Sequence, residues 1–170
     1  MRRLVFYIAM IFTAYFLQIG VFTNLTLGGI VPNLLVICTV SIGMIRGKKE
    51  GCLIGFFCGI LMDALFTIYF GFYGLTLAVI GYMAGYVQQI FYEEDMTLPI
   101  AIIGIGDLIY GFIVYLAGFL TRGRMDIFFY FRKIMLPEVI YTLILAVFLY
   151  RIISWINKKI EIKGSENRID

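Results

Sequence analysis

Long apolar runs alternate with short polar breaks along this chain, and most of its charge falls in the breaks. The runs cover residues 4–22, 30–45, 51–68, 72–91, 97–120 and 134–156. Within each, apolar side chains occupy every face of a helix, not one stripe of it, which is how a segment solvated by lipid reads. A hydrocarbon core of ~30 Å takes about 20 helical residues. The pattern therefore predicts an all-α fold, a polytopic six-helix transmembrane bundle. The breaks are turn-like at 24–29, 46–50, 67–71 and 92–96, and longer at 121–133. Residues 1–157 are then a membrane domain, and 158–170 a polar cytoplasmic tail read as a disordered end.

Composition agrees and narrows the class. Apolar residues make up 62% of the chain, charged residues 15%, and the mean hydropathy is +0.96. That lies well beyond an ordinary globular domain. The start imitates a secretory signal, with Arg2 and Arg3 before an apolar run, but no small-x-small cleavage site follows. It is read as a retained first span.

Basic residues set the expected orientation. Arg2, Arg3, Arg46, Lys48, Lys49, Lys158, Lys159, Lys163 and Arg168 share one side of a six-span layout, against Arg122, Arg124, Arg132 and Lys133 on the other. The excess places both termini in the cytoplasm. The acidic loop of Glu93, Glu94 and Asp95 falls on the same inner side, where acids count for little. On the outer side, residues 125–131 carry Ile127, Phe128, Phe129, Tyr130 and Phe131 between basic flanks, which suits an interfacial anchor.

Much chemistry is excluded. Without a histidine there is no Ser-His-Asp triad and no His-containing zinc site. Cys38, Cys52 and Cys58 lie inside expected spans and read as buried free thiols, Cys52 and Cys58 on different faces of one helix. No cofactor, metal or nucleic acid is expected.

The best-defined pattern is Gly51, Gly55, Gly59 and Asp63, each four residues after the last. At 3.6 residues per turn these form one smooth stripe ending in a carboxylate. Such a stripe admits the backbone of another helix, within the chain or from a partner. Gly81 and Gly85 make a second stripe, with Gly74 seven residues before. Three acids fall inside spans: Asp63 roughly 18 Å and Asp107 about 15 Å from the inner end, Glu138 about 6 Å below the outer. A charge at mid-bilayer costs about 2.5 to 3.5 kcal/mol, so these side chains are expected to face inward. Asn33, after Pro32, shares the depth of Glu138, with Asp63 somewhat deeper, and an outer-leaflet cluster of Asn33, Asp63 and Glu138 is expected.

In order, Pro32-Asn33, Arg46-Gly47, Glu50-Gly51, Gly55-Phe56, Gly59, Asp63, Phe70-Gly71, Gly74, Gly81-Tyr82, Gly85 and the late Leu136-Pro137 make the chain resemble the rod shape-determining protein MreD family. The resemblance covers most of the chain. It departs from the family pattern at Tyr141, where an asparagine is frequent, and at Leu75, where a polar residue is. The resemblance implies a non-enzymatic membrane subunit of the cell-elongation machinery. Its partners would be MreC through a transmembrane helix, and through it MreB filaments and a peptidoglycan synthase with its transpeptidase. Pro32, Asn33, Gly51, Gly55, Gly59 and Asp63 would set helix packing or receive MreC, with Gly81, Gly85 and Glu138 as further packing or contact positions.

Two other readings compete. The substrate-binding subunits of energy-coupling-factor vitamin transporters share the size and span number and have a fold thought related; Asn33, Asp63 and Glu138 would then line a ligand pocket. A small membrane enzyme would use Asp63 and Glu138 with a divalent metal on lipid phosphates, but the dense acidic motif usual for that chemistry is missing.

Overall fold

A computed structural model describes residues 2–22, 24, 29–66, 71–90, 96–122 and 127–166. Among these, every regular element is helical. Helix α1 (Arg2–Phe16) widens into a π-helical stretch (Leu17–Phe22), and α2 (Leu34–Arg46), α3 (Lys48–Phe66), α4 (Phe72–Ile90) and α5 (Thr97–Arg122) follow. The short α6 (Ile127–Tyr130) passes through a second π-helical stretch (Phe131–Met135) into α7 (Leu136–Glu166). Phe70, the loop of Glu93, Glu94 and Asp95, Arg124, Met125 and Arg168 lie outside the described residues.

Three helical stretches are long and apolar enough to cross a membrane: Val5–Phe22, Thr97–Gly118 and Ile127–Ile160. Helices α3 and α4, at 19 residues each, are about 28 Å long at 1.5 Å per residue. They carry polar residues at their ends, Lys48, Lys49 and Glu50 opening α3 and Gln88 and Gln89 near the end of α4. Helix α2 differs from the expected 30–45 span. With 13 residues it is about 20 Å long, too short for the hydrocarbon core. Its ends have local causes: Pro32 lacks a backbone donor, Asn33 caps the first turn, and Gly47 takes a left-handed φ of 92° that turns the chain directly into α3. A short helix is tolerated here because every residue from Asn33 to Met44 is buried by protein.

Helix α2 is the hub, touching α1, α3, α4, α5 and α7. Its Leu35, Val36, Ile37, Val40 and Ile42 are fully enclosed and form the centre of the apolar core with Cys58, Leu77, Ile103 and Ala146. The largest interface is between α3 and α4. Gly51 lies against Gly81, Gly55 against Leu77 and Gly59 against Tyr73 and Gly74, so the two helices run antiparallel with backbones touching. A Cβ at any of these three glycines would overlap α4 main chain. Gly43 of α2 joins the same seam: a Cβ there would stand 2.7 Å from the Gly81 carbonyl oxygen. The glycine stripe is thus filled from within the chain along its length.

Two expected boundaries differ. Most of the described part of the expected 121–133 connection is helix, and α7 continues as far as Glu166, into the stretch read as a disordered tail. From Asn157 to Lys163 that stretch is made of Lys, Glu, Ile and Asn with neither proline nor glycine, so nothing in it stops a helix already propagating from the membrane domain.

Adding one methyl at Gly55 is expected to lower stability by about 1–3 kcal/mol through overpacking. Gly20→Ala, where nothing lies within 4 Å of the new Cβ, is the matched control and is expected to be neutral. Thermal unfolding of Gly55→Ala and Gly20→Ala in one detergent checks this.

Candidate functional site

The polar side chains inside the bundle fall into a group at the start of α2, a group at its end and one carboxylate that closes the glycine seam. Asp63, 2% exposed, ends the Gly51-Gly55-Gly59 stripe. Its Oδ1 accepts the Tyr73 backbone N–H at 3.0 Å and its Oδ2 that of Gly74 at 2.9 Å. These are free donors in the first turn of α4, where a carboxylate also meets the positive end of the helix dipole. Gly71, at φ 101°, turns the chain into α4 there. The seam and its register are therefore fixed by one acid reading two adjacent backbone donors.

The first group surrounds the start of α2. Asn33 caps it, its Oδ1 accepting the Val36 N–H at 3.3 Å, while its own backbone N–H donates to Thr142 Oγ1 of α7 at 3.1 Å. Asp107 of α5 sits beside Thr142 and Asn33. It is 2% exposed, and neither carboxylate oxygen has a hydrogen bond of good geometry. Glu138, partly buried, precedes Thr142 by one turn of α7 and lies within electrostatic reach of Asp107. Tyr110 stands between this group and the seam, donating to Met62 Sδ at 3.5 Å and placing its ring 5.8 Å from that of Tyr73.

Asn33 and Glu138 are thus neighbours of one cluster, joined through Asp107 and Thr142. Asp63 is turned to the α4 terminus, where Tyr73 stands against Tyr110. Pro32 is buried just before the cap. Gly81 and Gly85 face Gly51 and the Gly47-Lys48 turn across the seam. In a vitamin-binding reading Asn33 and Asp63 would line a pocket, whereas here both are spent on helix N-termini.

The group at the end of α2 is not among those expected from the sequence. Arg46, ending α2, donates from Nε to Asn157 Oδ1 at 3.3 Å, and Asn157 Nδ2 donates to the Ile153 carbonyl at 3.1 Å. Tyr7 of α1 donates to Glu50 of α3; at the opposite end, beside the start of α2, Gln18 accepts the Leu35 N–H at 3.3 Å. A signal was present in the spacing: Thr142 and Asn157 stand fifteen residues apart on α7, and Asn33 and Arg46 thirteen apart about α2. Helices α2 and α7 run parallel and are pinned at both ends. Among the described residues no three acids or thiols come together to hold a metal ion; Cys38 and Cys58 are buried free thiols, and Cys52 is partly exposed and free.

Comparison with known proteins decides the family. The family model described as rod shape-determining protein MreD matches residues 1–160. The chain belongs to the MreD family. No curated protein and no solved structure matches it. MreD membership carries a role in determining rod shape, within the MreBCD machinery, and with the three long apolar stretches it makes this an integral inner-membrane protein.

Thr142→Val is expected to cost about 1–3 kcal/mol, because the buried Asn33 N–H loses its acceptor, while Thr142→Ser restores most of it; thermal unfolding of both variants decides. By the same measure Asp63→Asn, which keeps one acceptor, should retain more stability than Asp63→Leu. Equal losses from the two would mean that charge, and not hydrogen bonding, secures the α3–α4 seam.

Proposed function

We propose that this chain is a non-enzymatic, six-span scaffold of the rod-shape machinery with both termini cytoplasmic. It binds the transmembrane helix of MreC and with it couples MreB filaments to a peptidoglycan synthase and its transpeptidase. One observation carries the scaffold reading: the seam glycines, Asp63, Asn33, Thr142 and Asn157 are directed onto the chain's own backbone and side chains. Gly51, Gly55, Gly59 and Gly81 meet main chain, Asp63 and Asn33 serve helix starts, and Thr142 and Asn157 serve α2. A site built for turnover would instead aim such groups at a substrate.

In this reading the glycine stripes and Glu138 hold the bundle, and MreC meets the outer apolar surface. Helices α1 to α5 and α7 alternate in direction, as six passes require. The basic ends of α3 and α7 then face the cytoplasm, and Phe128 and Phe129, strongly exposed beside Lys133, rest in the outer headgroup region.

Purification of the tagged chain from its native membrane in mild detergent, with mass spectrometry of stoichiometric partners, tests the proposal. A bitopic protein of the MreC type is expected. A transmembrane coupling subunit with two ATPases would replace the scaffold reading by vitamin uptake. For the topology, a membrane-impermeant maleimide should label Phe128→Cys in cells with a permeabilised outer envelope and should leave Lys159→Cys unlabelled until the inner membrane is opened.

A further inference from the structure

Helix α1 is the least embedded of the long helices. It touches α2 and α3, held by Tyr7 on Glu50 near one end and Gln18 on the Leu35 N–H near the other. Between these ties α1 and α3 stand apart, leaving a groove of about 410 Å³. On α3 the groove runs from Glu50 to Leu61, about 16 Å at 1.5 Å per residue. That is about one leaflet of a ~30 Å hydrocarbon core. Only the Tyr7–Glu50 pair, at one end, is polar; the walls are large apolar side chains such as Ile8, Phe12, Leu53 and Phe57.

Wall chemistry separates the occupants. Close helix contact in lipid relies on small residues, and none lines this groove. The groove on the other side of α1, toward α7, does contain Ala9, Thr13 and Ala14. A flexible hydrocarbon chain needs no small residues and matches the length. At the polar end Lys49, exposed and one turn before Leu53 on α3, leans back toward the helix start, where a headgroup would lie. Glu50 beside it is engaged by the Tyr7 hydroxyl.

We infer that the α1–α3 groove holds one acyl chain of a phospholipid, with the lipid's phosphate at Lys49. The lipid fills the gap between the two polar ties of α1 and so completes the attachment of that helix to the bundle. That it belongs to the inner leaflet rests on the orientation proposed above; the binding itself does not.

Native mass spectrometry of the full chain, released from nanodiscs made of a single phospholipid, tests this. The wild type is expected to retain one lipid. Leu53→Trp, which fills the groove from an exposed position, and Lys49→Glu, which removes the phosphate contact, are each expected to lower the lipid-bound fraction at least tenfold, with helicity by circular dichroism unchanged. Lipid retention equal to wild type in folded Leu53→Trp would overturn the inference. So would a photo-crosslinker at Phe57 that captures, in native membranes, a protein in place of lipid. Because the mass measurement uses the isolated chain, failure to recover MreC would leave its result unchanged.

Discussion

Backbone contact between α3 and α4 is the constraint on which the rest of this structure rests. In lipid there is no hydrophobic force to press helices together, so close van der Waals approach and a few internal hydrogen bonds must do it. Gly51, Gly55 and Gly59 let α4 lie directly on α3, and Gly43 brings α2 onto the same seam. Asp63 then sets the register, since its two oxygens reach two adjacent N–H groups of α4 only when the helices are aligned one way.

With α3 and α4 joined, α2 can be buried all round. A helix of about 20 Å would expose its termini within hydrocarbon if it faced lipid, where unmet backbone groups are costly. Here neighbours supply the missing partners. Asn33 caps one end and hangs it on Thr142, and Arg46 ties the other to Asn157. Because both tethers lie on α7, the hub helix and the last long helix are fixed together, and α5 closes over the pair with Asp107. A protein whose interior is bound in this way presents partners with a firm body, which is the property a shape-determining subunit of the MreD family needs.

The two sides of α1 show how wall chemistry divides the surface of such a body. Toward α3 the lining is bulky throughout; toward α7 it includes alanines and a threonine.

The sequence by itself determined the class, the family and most helix positions. Runs of apolar residues leave helix as the only structure that satisfies its own backbone in lipid, and the four-residue spacing of Gly51, Gly55, Gly59 and Asp63 marked a contact face. It also gave Asn33 and Glu138 a common depth; in the structure Asn33 lies beside Asp107, and Glu138 is within electrostatic reach of it. What it left open was direction around each helix axis and who fills the contact face. Depth follows from counting residues, but a continuous apolar run gives no sign of which side points inward. Only the tertiary structure decided that the stripe is filled by α4, that Asp63 turns to a helix start and away from Asn33, and that Arg46 finds Asn157. The physical reason is that these partners lie on different helices, so each pairing depends on how the helices are rotated and assembled.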